Sequence, residues 1–115
     1  MNIAVITLTE DGLKTARRIG AGFNPPPSVY VFRKIGDGNN PLVENKGYLH
    51  IIPFSESLHQ LVDRIFRQYD GIVFIMAMGI VVRVIAQNVQ DKYTDPAVVV
   101  IDDVGRFVIS VLSGH

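Results

Sequence analysis

The 115 residues of this chain suit one domain and are too few for two separate cores. Hydrophobic residues make up 48% of it and charged residues 19%, a balance that excludes global disorder and suits central elements covered on both sides. Eleven basic residues offset eleven acidic ones, which leaves no broad field for nucleic acid or an anionic membrane, and the absence of cysteine removes disulfides, thiolate catalysis and cysteine-based metal clusters.

Met1-Asn2-Ile3 enters an apolar stretch directly, with no basic lead or cleavage site, and no apolar run approaches 18 residues, so the chain reads as soluble, unexported and cytoplasmic. Residues 3–8, Ile-Ala-Val-Ile-Thr-Leu, form a β-branched run expected as a strand buried on both faces. Thr9, Glu10 and Asp11 supply a cap and early negative charge for a helix over 10–20 that stops at Gly20. Pro25-Pro26-Pro27 breaks the chain before a strand over 28–32, and the glycines and asparagines between Arg33 and Gly47 predict a loop.

Residues 48–52 read as a further strand ended by Pro53, with Ser55 offered as N-cap to the next helix. In that helix Leu58, Leu61, Val62, Ile65 and Phe66 share one face, leaving Glu56, Asp63, Arg64 and Arg67 outward. Residues 71–77 predict a strand and Met78-Gly79 a turn. The stretch 80–87 has strand propensity, but a helix is the simplest way to cross back over a parallel sheet, so a helix is assigned. Residues 97–102 and 107–112 are two strands around Asp103-Val104-Gly105, expected to pair as a hairpin.

Alternating strands and helices imply an α/β fold over 1–115, a small flavodoxin-like three-layer sandwich with a mostly parallel sheet and an antiparallel C-terminal edge hairpin. Ligands of such sheets sit beyond the carboxyl ends of the strands, which points to residues 7–10, 77–79 and those after Leu112 as neighbours. The end at Ser113-Gly114-His115, directly after an apolar strand, suggests an N-terminal fragment of a longer multidomain protein.

Several residues have the chemistry for a site. Amides at Met78-Gly79 could face an anion or oxyanion where strand turns into helix, or the glycine could simply serve a tight turn. Arg83 is the single charge in an apolar stretch and needs solvent, a carboxylate or a ligand acid. In the polar loop 91–96, Lys92 could bind a carboxylate, while Asp95 could orient Lys92 or only shape the turn before Pro96. His115, with an unperturbed pKa of about 6.5, suits a general base, and Ser113 beside it an ordinary polar loop more readily than a nucleophile. His50 and His59 lack metal-ligand spacing and read as surface residues. Neither G-x-G-x-x-G nor a G-K-[ST] loop occurs, so nucleotide binding lacks its usual pattern.

Three ordered segments carry a resemblance: Met76-Ala-Met-Gly-Ile-Val-Val-Arg83-Val-Ile85, Asp91-Lys92-Tyr-Thr-Asp95-Pro96 with the Ala-Val-Val-Val-Ile-Asp102 that follows, and Gly105-Arg-Phe-Val-Ile-Ser-Val-Leu-Ser-Gly-His115. Over roughly residues 70–115 the chain resembles the N-terminal part of the CbiG family of cobalamin biosynthesis, and the opening strand agrees as well. The resemblance implies cobalt-precorrin-5A hydrolase activity: water opens a δ-lactone on a corrin precursor and a two-carbon fragment leaves as acetaldehyde. Cobalt then belongs to the substrate, and no cofactor or protein-held metal is expected. Carried onto this sequence, Met78, Gly79, Arg83, Lys92, Asp95, Ser113 and Gly114 would bind the corrinoid and His115 would activate water, all lining one cleft. Expected partners are the C-terminal domains of the parent chain, with neither nucleic acid nor membrane, and a homo-oligomer stays open. Two other readings are a flavin or nucleotide phosphate at Leu8-Thr9-Glu10, and a noncatalytic module that binds substrate or docks the remaining domains.

Overall fold

A computed structural model of the chain describes residues 1–36 and 49–112. Ten elements follow one another: β1 (Ile3–Thr7), α1 (Glu10–Gly20), β2 (Ser28–Phe32), α2 (Arg33–Gly36), β3 (His50–Phe54), α3 (Leu58–Ile65), β4 (Gly71–Ile75), α4 (Met78–Ile85), β5 (Ala97–Ile101) and β6 (Val108–Leu112). The strands form one sheet in the order β3-β2-β1-β4-β5-β6. All neighbours are parallel except β5 and β6. The α/β sandwich with a mostly parallel sheet and an antiparallel C-terminal hairpin is therefore the architecture found, and β3 extends it as an outer strand beyond β2.

The apolar runs explain the layering. Every residue of β1 and β4 is buried, as expected for central strands covered on both faces. Alternation then sorts side chains. Ala4, Ile6, Ile72, Phe74, Val98 and Val100 face α3 and α4, where Leu61, Val62, Ile65, Val81, Val84 and Ile85 close one core. Val5, Val73, Ile75 and Ile101 face the other way, against Leu13 and Ala16 of α1. Each fully buried side chain of this size contributes about 1.5–3 kcal/mol on leaving water, so the two cores hold the sheet between them.

Boundaries differ from the sequence expectations by a residue or two at several element ends, and four of the differences have a plain physical reading. Pro53 does not end its strand: it lies within β3, opposite Val31, because an outer strand can turn a missing N–H away from the ladder. The cap of α3 is Ser57 rather than Ser55. Its Oγ accepts from the Gln60 amide at 3.1 Å while Gln60 Oε1 accepts from the Ser57 amide at 3.2 Å, a reciprocal pair that Ser55 could not form. The helix α4 begins at Met78 itself, so Met78-Gly79 is its first turn and not a separate turn. Residues 33–36, expected as loop, form the single turn α2. The remainder of the expected loop, 37–47, lies outside the described residues, as do Tyr48 and Ser113, Gly114 and His115.

Candidate functional site

The strand order reverses between β1 and β4: the chain leaves β1 toward β2 on one side and β4 toward β5 on the other. Such a switch point opens a crevice at the carboxyl ends of the strands, because the following helices cover opposite faces. A hollow of about 480 Å³ lies there. Leu8 and Thr9 line it from the link between β1 and α1, Ile75 from the end of β4, Met76 and Ala77 from the link to α4, Ile80 from α4, and Asp102, Asp103, Val104 and Arg106 from the β5–β6 turn.

The two helix starts at this crevice differ. At α1 the Thr9 hydroxyl accepts from the Gly12 amide at 2.9 Å, and Glu10 and Asp11 place negative charge in the first turn. That end is capped by its own side chain and unfavourable to an anion. At α4 the N-cap is Ala77, which has no side chain able to cap, and no acidic residue lies in the first turn. The Met78 and Gly79 amides thus keep the donor capacity and the dipole that favour developing negative charge. A Cβ built on Gly79 meets nothing within 4 Å, and its φ is not in the left-handed region. The glycine is therefore not required by a tight turn, and the space beside it is open.

The crevice walls are fixed by polar contacts. Thr15 Oγ1 donates to the Asp103 carbonyl at 2.5 Å, and Arg18 Nη2 donates to Thr15 Oγ1 at 3.0 Å and to the Val104 carbonyl at 3.1 Å. These bonds tie α1 to the β5–β6 turn, where Gly105 adopts φ 79°. Asp102 accepts from the amides of Arg106 (2.5 Å) and Phe107 (3.0 Å) and from Arg106 Nε at 3.3 Å. The Phe107 amide is the largest influence holding its carboxyl below the usual range, with Arg106 adding to it against the opposing effect of burial. Asp102 is thus a committed carboxylate that shapes the turn.

The candidates named from sequence fall into two groups. Met78 and Gly79 stand at the crevice end of the sheet. Lys92 and Asp95 stand at the other end, in the loop leading to the start of β5, where a second hollow of about 400 Å³ also includes Val89, Pro96, Val111 and Leu112. Leu112 pairs with Val98, so the antiparallel β6 ends at the end of the sheet opposite the crevice, and the residues after Leu112, expected beside residues 7–10 and 77–79, lie outside the described residues. Arg83 is exposed on α4, and among the described residues no carboxylate pairs with it. Lys92 is exposed, its ammonium 5.1 Å from the Tyr93 ring centre. Asp95 does not orient Lys92. It is nearly buried, receives Arg67 Nη1 at 2.9 Å and accepts from the amides of Gln90 and Asp91 at 2.8 and 3.1 Å. Its partner Arg67 lies just beyond the end of α3, among the residues the sequence pattern leaves outward.

His50 and His59 are exposed, as their spacing suggested. Among the described residues no cluster of three His, Asp or Glu could hold a metal ion, and no helix is long and apolar enough to cross a membrane. Sequence reasoning missed the crevice wall at 102–106. The signal was present, since a hairpin turn after a parallel strand must lie at that strand's carboxyl end.

Comparison with known proteins decides the family. Residues 60–115 match the model described as Cobalamin synthesis G N-terminal. The chain is 43% identical over 112 residues to the cobalt-precorrin-5A hydrolase of Priestia megaterium, covering 97% of this chain and 28% of that protein. The chain belongs to the CbiG N-terminal family. The cobalt-precorrin-5A hydrolase of Salmonella typhimurium strain LT2 is 39% identical over 114 residues, covering 99% of this chain and 29% of that protein. A crystal structure described as a homolog of cobalamin biosynthesis protein G, from Sulfolobus solfataricus, shares the fold with a TM-score of 0.64 at 24% identity, over 99% of this chain and 30% of that one. This CbiG N-terminal chain thus spans less than a third of the length of the curated relatives it matches.

Proposed function

We propose that this chain is the N-terminal domain of a cobalt-precorrin-5A hydrolase and that the crevice between β1 and β4 receives the lactone of the corrin precursor. The observation that carries the reading is the identity of 39–43% to two such hydrolases across nearly the whole chain. Water adds to the lactone carbonyl, and the tetrahedral oxyanion accepts hydrogen bonds from the Met78 and Gly79 amides. The ring C–O bond then breaks. The freed alcohol loses its proton, its carbon–carbon bond to the macrocycle breaks, and acetaldehyde leaves while the macrocycle keeps the electron pair. Arg83, free on the exposed face of α4, binds a peripheral carboxylate, and a base carried by the polypeptide beyond Leu112 in the parent protein takes the proton of the attacking water. Cobalt arrives with the substrate, and the 115 residues by themselves are inactive.

Acetaldehyde release from cobalt-precorrin-5A under anaerobic conditions tests this, using a full-length chimera in which the chain replaces the matched part of the Priestia megaterium hydrolase. Release above a heat-inactivated control is expected. Intact substrate beside folded protein would overturn it.

A second reading is favoured by one observation. Asp102, a carboxyl lining the crevice, is held below the usual carboxylate range by the Phe107 amide, the opposite of the upward shift that marks a carboxylic acid–base catalyst. In that reading the domain binds substrate or docks the remaining domains, and the catalytic groups lie outside it. Activity retained by the parent protein without this domain would select it.

A further inference from the structure

The two edges of the sheet are built differently. On β3, the outward side carries the exposed His50 and Pro53, a polar side chain and a residue without an N–H, both of which discourage pairing with another strand. On β6 the opposite holds. Among the described residues it pairs only with β5, and two of its three exposed side chains are apolar: Val108 is 67% and Ile109 47% exposed, next to Phe107 at 63% and beside the small Ser110. None of the usual protections of a solvent edge, neither Lys, Pro nor an inward charge, occurs between Phe107 and Leu112. The register sets Ile109 beside Val100 on the α4 side of the sheet and Val108 beside Ile101 on the α1 side, so apolar surface is open on both faces of the edge.

We infer that β6 is a docking edge for the polypeptide that follows this domain in the longer CbiG proteins, which adds an extended apolar segment to it. This rests on the family reading above. More than two thirds of each hydrolase it matches lies outside the matched part. Because β6 runs back toward the start of β5, a segment that follows Leu112 begins beside this edge, and closing a short loop onto it costs little entropy. Strand addition satisfies the outward backbone groups, and the apolar side chains of β6 are covered on both faces.

Hydrogen exchange, read by mass spectrometry on this chain alone and within the full-length chimera, tests the inference without reference to turnover. Exchange of residues 107–112 is expected to slow about tenfold or more in the chimera while 50–54 stays unchanged, and Ile109→Lys in the chimera is expected to restore fast exchange. The same comparison on the natural Priestia megaterium protein and its matched segment covers the case of a chimera that does not fold. Equal exchange of this edge in short and long proteins would overturn the inference. So would protection in the short chain that grows with its concentration, which assigns the edge to a second copy. Acetaldehyde release by the same chimera reports separately on the family activity.

Discussion

Arg67 and Asp95 form an ion pair with Nη1 2.9 Å from Oδ1, the arginine half-exposed and the carboxylate nearly buried. Arg67 also donates to the Asn88 carbonyl, and Asp63 accepts from Gln87 and Asn88, so the end of α3 is fastened to the chain that leaves α4. This arrangement makes Asp95 a structural residue of the 88–96 loop, bonded to Arg67 and to the Gln90 and Asp91 amides.

Acid should loosen this connection. For Asp95, burial alone raises the pKa, but the hydrogen bond from Arg67, the Gln90 and Asp91 amides and the charge of Arg67 outweigh it, and the net direction is downward. Asp63 is also lowered, chiefly by its bond from Asn88, as is Asp102. Each folded carboxyl holds fewer protons than its unfolded counterpart, so the stabilisation is complete above the unfolded value of about 4 and disappears as pH falls through the lowered folded value. Chemical unfolding followed from pH 6 to pH 2 should show a steep decline below about pH 4. Asp95→Asn should lower stability at pH 6 and flatten that decline, and an unchanged acid limb would count against the pair.

Gly12 is held in close approach to β1. A Cβ there would lie 2.0 Å from Thr7 Oγ1 and 3.0 Å from Thr9 Oγ1, and Thr7 is fully buried. Gly12→Ala should therefore push α1 away from β1 at the crevice and cost about 1–3 kcal/mol, the usual penalty of overpacking. Urea unfolding measures this. A stability equal to that of the parent chain would mean that Thr7 rotates aside without cost.

Gly79 should behave in the opposite way. Its Cβ position is open and its backbone helical, so Gly79→Ala should leave the melting temperature unchanged or raise it, by no more than about 1 kcal/mol of added stability. A lower melting temperature would show that the glycine serves the fold.

The repeating layers were legible because short β-branched runs and the apolar stripe of α3 are local signals. The Met78 helix start was blurred because Ile-Val-Val-Arg-Val-Ile favours strands as isolated residues, while crossing over a parallel sheet demands a helix. Pairings over long separations were not legible: nothing local links Arg67 to Asp95, or Thr15 to the Asp103 carbonyl 88 residues away. The split of the candidate site was implicit in the hairpin itself. Once β6 runs antiparallel to β5, Leu112 must stand at the end of the sheet opposite Met78.

The most direct test removes one amide from the start of α4. Proline suits the first helical position, and the extended Ala77 before it (φ −67°, ψ 140°) accepts a following proline, so Met78→Pro deletes a donor while keeping the helix. Met78→Leu serves as control, since it changes the side chain and keeps the amide. In the full-length chimera, with melting temperatures of both variants checked, turnover for acetaldehyde release should fall about 10²–10³-fold in Met78→Pro and stay near the parent value in Met78→Leu. Equal turnover in the two variants would contradict the assignment of the lactone oxyanion to this crevice.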